Sequence, residues 1–152
     1  MILYRIVKSK YADDLSGTGA RLFGGRWNSE GQSAIYLASS RALAVLEVLV
    51  HLVPLSIPSN YFVVEVEVPD NSFLQISIKD LPNNWDNNYP PPSLKKIGDD
   101  FLKKGTHLMM KVPSAIVPME YNYLVNTEHP DMKKVKISRK EPFHFDKRLY
   151  NN

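Results

Sequence analysis

The spacing of apolar residues along the chain predicts short strands and two longer helices. Alternating or short bounded apolar runs predict strands over residues 2–7, 34–37, 61–68, 74–78, 109–112, 115–117 and 135–138. One helix is predicted from a cap at Ser39 or Ser40 to about Leu52. Pro54 would end it, and an amphipathic helix is predicted over residues 93–104. Because strands and helices do not alternate regularly, the pattern favours an α+β fold.

Two segments between these elements have the composition of functional loops. Residues 16–31 are rich in Gly, Ser and Asn, which predicts a loop that approaches another group closely. Residues 85–92 are rich in Pro and Asn and predict a second loop.

Composition narrows the class of protein. The chain has 152 residues, 43% apolar and 23% charged, which is typical of one globular domain, here residues 1–152. The absence of cysteine excludes disulfides and thiolate metal sites, and the four histidines lack the spacing of zinc ligands. No apolar run approaches the roughly 20 residues of a membrane helix, and no signal peptide is recognisable. We therefore expect a cytoplasmic protein without metal or membrane segment.

The charge balance is mildly basic. A net charge of +3 is compatible with an anionic ligand or with nucleic acid, and it does not distinguish between them. Lysines cluster late in the chain, and we interpret them as a solvated basic edge strand. They are Lys133, Lys134, Lys136 and Lys140.

Glu47 is the most informative position, because it interrupts the apolar run of residues 42–50. Helical spacing surrounds it with apolar residues on nearly every side, so we expect a helix that is buried nearly all round. A buried carboxylate needs a cation or several hydrogen-bond donors. A functional carboxylate, a buried salt bridge and a helix face open to water are all compatible with this pattern.

Arg26 and Tyr36 are the candidate partners of Glu47. Arg26 lies in Gly24-Gly25-Arg26-Trp27-Asn28, where the glycines allow a tight turn and the close approach of a ligand. Its guanidinium would pair with Glu47, bind a pyrophosphate or be shared between them, and the alternative is a structural arginine stacked on Trp27. Tyr36 is either a core tyrosine or a flat face and hydroxyl for an aromatic ligand.

The order of these motifs resembles the RES domain family, which is named after Arg, Glu and Ser. The central segments that carry the resemblance are Gly24-Gly25-Arg26-Trp27-Asn28, Ala34-Ile35-Tyr36-Leu37-Ala38 and Ala44-Val45-Leu46-Glu47. It extends over nearly the whole chain, through Tyr4-Arg5, residues 112–117 (VPSAIV), residues 122–126 (NYLVN) and His129-Pro130. Thr127 stands where the family often has a proline.

The resemblance implies the fold and the site. The expected fold is similar to that of ADP-ribosyltransferases: α+β, with a split β-sheet core, flanking helices and a central NAD cleft. Arg5 and Arg26 would hold the pyrophosphate of NAD. Tyr36 would stack near the nicotinamide. Glu47 would hydrogen-bond the nicotinamide ribose and stabilise positive charge at its anomeric carbon.

Two further residues follow from the resemblance. Ser114 would hydrogen-bond the ligand or fix Glu47, whereas the residues alone favour a turn residue after Pro113. Asn126, in the closing asparagine-rich segment, is expected to contribute to NAD binding.

The resemblance also implies a function. The family's members are NAD-degrading toxins of bacterial toxin–antitoxin systems, which cleave the nicotinamide–ribose bond of NAD⁺ with water or inorganic phosphate as acceptor. NAD⁺ is then the substrate, and no prosthetic group is expected. The expected partner is a DNA-binding, Xre-type antitoxin that blocks the active site, and a homodimer is compatible with the sequence. No direct nucleic-acid binding is expected. The alternatives are a toxin RNase and a non-catalytic module that binds a nucleotide or a partner.

Overall fold

The computed structural model describes residues 1–52, 59–70 and 73–149. Within these ranges the strands are β1 (Ile2–Lys8), β2 (Ala34–Ala38), β3 (Tyr61–Glu67), β4 (Phe73–Gln75), β5 (Met109–Pro113), β6 (Tyr121–Asn126) and β7 (Lys136–Phe143). The α-helices there are α1 (Thr18–Phe23), α2 (Arg41–Leu49) and α3 (Pro92–Lys104).

The strands form one mixed sheet in the order β4-β5-β6-β2-β1-β3-β7. β4 and β5 are parallel, and every other neighbouring pair is antiparallel. β1 pairs with β3 along its whole length, but it pairs with β2 only where Tyr4 faces Ala38. The sheet is therefore split between β1 and β2, and the predicted α+β class is confirmed.

The two faces of the sheet are covered differently. We call the face beneath α2 and α3 the helical face; it carries Ile6, Ala38 and Leu124. The opposite, reverse face carries Leu3 and Val64, and it is covered by loop residues such as Ala12 and Val135 rather than by an α-helix. Because strand side chains alternate, the parity of a residue decides which face it reaches.

Helix α2 begins where the sequence predicts, but it is less buried than the sequence suggests. The Ser40 hydroxyl accepts a hydrogen bond from the Leu43 amide at 3.1 Å, which confirms the predicted cap. The helix ends at Leu49, and the predicted stop at Pro54 lies outside the described residues. Only Leu43 and Ala44 are buried. The expectation of burial nearly all round was wrong, because α2 packs against the sheet along one side only.

Three sequence-based assignments are corrected. Residues 16–31 were expected to be a loop but contain α1, whose N-cap residue is Gly17 and which buries no residue, so its pattern of residues does not predict a helix. The segment 115–117 is a turn instead of a strand, because the Ser114 hydroxyl accepts hydrogen bonds from the amides of Ile116 and Val117. β6 was not predicted, although it lies inside the sheet.

The basic segment near the C-terminus includes an edge strand, as predicted. β7 is the last strand of the sheet. Its charges face carboxylates: Lys136 pairs with Glu67 at 3.2 Å and Arg139 with Glu141 at 2.7 Å. Within the described ranges, no helix has the length and apolar character needed to cross a bilayer.

Helix α3 fixes the loop that carries Arg26. Leu94, Phe101 and Leu102 are buried along it, as the amphipathic pattern predicts. Gly98 lies on the same side and faces the backbone of Trp27, so that a Cβ added there would be 1.6 Å from the Trp27 carbonyl oxygen. Only glycine allows this approach.

Gly98→Ala is therefore expected to destabilise the fold by about 3 kcal/mol, because helix and loop must separate. The urea midpoint of unfolding measures the change. Gly19→Ala in α1 is the matched control, since nothing lies within 4 Å of its added Cβ, and it should change stability by less than about 1 kcal/mol. Equal midpoints for Gly98→Ala and the unsubstituted chain would contradict the packing described above.

Candidate active site

Glu47 is held by two hydrogen bonds to one of its carboxylate oxygens. Oε1 accepts from the Ser114 hydroxyl at 2.9 Å and from the side-chain amide of Asn122 at 2.5 Å. Ser114 follows β5, and Asn122 lies in β6. Helix α2 and two strands of the sheet therefore meet at this carboxylate.

The second carboxylate oxygen of Glu47 is open. No described residue donates a hydrogen bond to Oε2. The atom is not buried either, so it reaches solvent. In the described ranges no Lys, Arg or His lies within ion-pair distance of Glu47. Two neutral donors, rather than a cation, compensate the half-buried carboxylate.

Ser114 is fully buried and its hydroxyl has no capacity left for a ligand. It donates to Glu47 and accepts from the amides of Ile116 and Val117, both at 3.1 Å. A hydroxyl offers one donor and two lone pairs, and all three are used. Of the two predicted roles of Ser114, the geometry favours fixing Glu47, and the residue also forms the turn after Pro113.

Asn122 was missed by the sequence analysis, which selected Asn126 from the same segment. The two residues point to the same face of β6 but lie four positions apart, about 13 Å along a strand. Asn126 is buried; its amide donates to the Leu102 carbonyl at 3.0 Å, and its oxygen accepts from the Glu128 amide at 3.0 Å. The structure therefore uses Asn126 to join β6 to α3 and does not bring it to Glu47. Because side chains alternate along a strand, Asn122 and Asn126 share one face, and this pattern alone would have suggested Asn122 as well.

The Tyr36 hydroxyl holds the glycine-rich loop, which comprises residues 24–28. The hydroxyl accepts from the Trp27 amide at 3.1 Å and donates to Oδ1 of Asn28 at 2.7 Å. Burial raises the pKa of Tyr36 well above its ordinary value, so the hydroxyl stays protonated and donates. A Cβ on Gly25 would lie 2.5 Å from this hydroxyl oxygen, so the position requires glycine. What Tyr36 can offer a ligand is its ring.

Tyr36 and the Glu47 cluster share the helical face. Tyr36 faces Leu124 and Ala38 faces Asn122 across β2 and β6. Tyr36 and Asn122 are therefore diagonal neighbours, with Cβ atoms within about 8 Å. Because Asn122 also binds Glu47, the carboxylate and Tyr36 lie over neighbouring positions of the same sheet face.

Arg26 holds the second loop, which contains Trp85 and Asn87. Its Nη1 donates to the carbonyls of Trp85 at 2.8 Å and Asn87 at 3.0 Å, and its Nη2 donates to the Asn87 carbonyl at 3.1 Å. Among the described residues, Arg26 neither pairs with Glu47 nor stacks on Trp27. Nε–H and the other hydrogen of Nη2 have no acceptor there and lie along one edge of the guanidinium. That edge is suited to two oxygens of an anion.

Arg5 lies on the reverse face of the sheet. Its Nη2 donates to the backbone carbonyls of Tyr11 at 3.1 Å and Asp14 at 2.5 Å, and its Nε is buried without a partner. Burial lowers the pKa of Arg5, and the charges of Asp14 and Asp13 offset part of that effect.

The structure thus brings Arg26, Tyr36, Glu47 and Ser114 to one face and leaves Arg5 apart from them.

The fold resembles that of a solved toxin–antitoxin structure. A chain of the M. tuberculosis MbcT–MbcA complex matches with a TM-score of 0.76 over 94% of this chain and 84% of that chain, at 22% sequence identity. The likeness confirms the predicted ADP-ribosyltransferase-like fold.

Sequence comparisons extend over the same region. A protein named Toxin Res from Yersinia enterocolitica is 40% identical, covering 98% of this chain and 99% of the relative. Toxin Res from Pseudomonas putida is 40% identical over 99% of this chain and 100% of its own length. The Prs ADP-ribosylating toxin of a Sphingobium species is 40% identical over 91% of this chain and 88% of its own length. The RES domain model matches residues 2–146. The chain therefore belongs to the RES domain family.

Proposed function

We propose that this chain is the toxin of a toxin–antitoxin system and that it cleaves NAD⁺ at the bond between nicotinamide and ribose. The observation that carries the proposal is the Glu47 carboxylate, whose Oε1 is fixed by Ser114 and Asn122 while Oε2 stays open to a ligand. The names of the matched relatives support it, since they are called toxins and one is called ADP-ribosylating.

The chemistry of this bond suits a single fixed carboxylate. The C1′–N bond breaks with its electron pair moving to the pyridinium nitrogen, so nicotinamide leaves as a neutral molecule and needs no strong general acid. Positive charge develops on the ribose, as in glycoside hydrolysis. A carboxylate oriented in advance stabilises that charge without reorganising during the reaction.

The remaining residues position the substrate in this proposal. Tyr36 presents its ring to the nicotinamide end, since its hydroxyl is already committed to the loop. The open edge of Arg26 binds the pyrophosphate with two parallel hydrogen bonds. Water or inorganic phosphate then attacks C1′ and yields ADP-ribose or its 1″-phosphate, and with water one proton is released.

A protein that consumes NAD⁺ needs restraint in the cell that makes it. The proposed restraint is a cognate Xre-type antitoxin that covers the site, and the matched toxin–antitoxin complex supports the existence of such a partner. An RNase is less well supported by the structure, because basic side chains of the C-terminal segment are paired with carboxylates, for example Lys140 with Asp13 and Lys134 with Asp131.

The direct test incubates the purified chain with NAD⁺, once in phosphate buffer and once without phosphate, and identifies the products by chromatography. Release of nicotinamide is expected, and the second product identifies the acceptor. A parallel incubation with RNA should leave the RNA intact. Degraded RNA together with unchanged NAD⁺ would refute the proposal.

Glu47→Gln is expected to lower kcat for NAD⁺ by about 10³-fold, because the neutral amide cannot stabilise the developing cation. Initial rates of nicotinamide release measure it, and circular dichroism checks that the variant is folded. Glu30→Gln, at an exposed glutamate, is the matched control and should retain full activity. Normal turnover by Glu47→Gln would exclude the mechanism.

Asn122→Ala and Ser114→Ala each remove one donor from Oε1 of Glu47. Each is expected to lower kcat by about 10- to 100-fold with little change in KM, because the lost bond orients the carboxylate and does not contact the substrate. The double variant should lose less than the product of the two effects, since both bonds end on one oxygen. A change confined to KM would instead place Asn122 on the substrate.

Arg26→Lys is expected to be severely impaired, because an ammonium group cannot hold the carbonyls of the second loop and also present a two-pronged edge. A loss of at least about 100-fold in kcat/KM is expected, measured with NAD⁺. Arg21→Lys is the matched control, since its side chain is exposed. If Arg26→Lys behaves like the unsubstituted chain, Arg26 contributes only its charge.

A further inference from the structure

A concavity adjoins Arg26 at the loop that its guanidinium holds. It has a volume of about 490 Å³ and is lined by Asp86, Asn87, Asn88 and Tyr89. Asn87 connects it directly to Arg26, because its carbonyl oxygen accepts from both Nη1 and Nη2. The volume lies in the range of sites that bind small molecules.

The loop that forms this concavity is fixed. Trp85 is buried against Trp27 and Leu94. Its amide donates to the Pro82 carbonyl at 3.0 Å, and Arg26 adds three hydrogen bonds to the backbone. On the side of the loop these bonds use backbone atoms only, so they do not occupy the side chains of the lining residues.

Tyr89 projects from this fixed loop into solvent. It is 92% exposed, the highest value among the large apolar residues of the described part of the chain. A tyrosine this exposed contributes little to the core. It offers a flat aromatic face and a hydroxyl beside the concavity.

The candidate groups follow one another along the helical face. Glu47 binds Asn122, which is a diagonal neighbour of Tyr36 in the sheet. Tyr36 holds the loop that carries Arg26, and Arg26 holds the concavity. In NAD⁺ the order is nicotinamide riboside, pyrophosphate, adenosine. With the riboside at Glu47 and the pyrophosphate at Arg26, the adenosine half would extend towards residues 86–89, which adjoin Arg26 through Asn87.

We propose that this concavity binds the adenosine half of NAD⁺, with Tyr89 stacked on the adenine. The proposal rests on the proposed function, because it takes NAD⁺ as the ligand of the site. Adenine offers a flat π-face, and stacking on an exposed aromatic ring is a common way of binding it. The Asp86 carboxylate accepts hydrogen bonds from the hydroxyls of the adenosine ribose, as acidic residues do in other dinucleotide sites. The side-chain amide of Asn88 is suited to the polar edge of the base.

The test compares NAD⁺ with nicotinamide mononucleotide, which lacks the adenosine half. Tyr89→Ala should raise KM for NAD⁺ by about 10-fold and leave kcat unchanged, because stacking contributes to binding and not to bond cleavage. Its kcat/KM for the mononucleotide should equal that of the unsubstituted chain. Tyr89→Phe keeps the ring and should behave like the unsubstituted chain.

Asp86→Asn should also raise KM for NAD⁺, whereas Asp80→Asn should not, since Asp80 is exposed and does not line the concavity. Calorimetric titration with AMP provides a readout that does not need activity. AMP should bind the unsubstituted chain and bind Tyr89→Ala at least about 10-fold more weakly.

The outcomes separate the two proposals. An unsubstituted chain that leaves NAD⁺ intact refutes the proposed function, and the AMP titration still tests the adenosine site. Turnover of NAD⁺ with the same KM in Tyr89→Ala as in the unsubstituted chain overturns the adenosine site alone. Equal AMP affinities of Tyr89→Ala and the unsubstituted chain overturn it as well.

Discussion

The geometry of the candidate site depends on one buried side chain, the amide of Asn28. It is fully buried, and its two N–H groups donate to the carbonyls of Ala20, Ser29 and Gln32 at 2.9–3.1 Å, one of them shared between two acceptors. Its oxygen accepts from Tyr36 at 2.7 Å. Each of these bonds forms away from water, where an unmade bond is costly, so the amide holds the glycine-rich loop in one conformation.

That conformation explains the division of labour among the candidate residues. The Tyr36 hydroxyl is bonded to the glycine-rich loop, and its ring takes no part in these bonds. One edge of the Arg26 guanidinium is bonded to the second loop, and the other edge has no acceptor among the described residues. Glu47 follows the same principle, with one oxygen fixed and one open. In each case the protein orients the side chain through hydrogen bonds to part of it, an arrangement suited to a site that is organised before a ligand binds.

The split of the sheet gives these residues their surroundings. β1 and β2 separate on either side of the single pair formed by Tyr4 and Ala38, and α2 packs on both strands at this point. Glu47 is therefore half-buried on a helix that lies over the split, rather than enclosed in a core. This explains how a carboxylate in an apolar helix is retained with two neutral donors and no cation among the described residues.

The sequence by itself determined most of the regular elements, because hydrophobic spacing and caps act over a few residues. The strand of Tyr4 and Ile6, the cap at Ser40 and the buried side of α3 all follow from local pattern. Local pattern and resemblance together selected Arg26, Tyr36, Glu47 and Ser114 as candidates. These four residues lie on one face of the folded chain.

Only the tertiary structure decided what these residues contact. Arg26 meets a carbonyl 61 residues away, and Glu47 meets Asn122 at a separation of 75 residues. Such partners are set by strand order and register, which local spacing does not encode. The contact between Glu47 and Asn122 depends on this pairing, whereas the face that Arg5 occupies already follows from the alternation of side chains along β1. Local pattern and resemblance selected the candidate residues, and the long-range pairing of strands decided which of their atoms are already held by the protein and which are not.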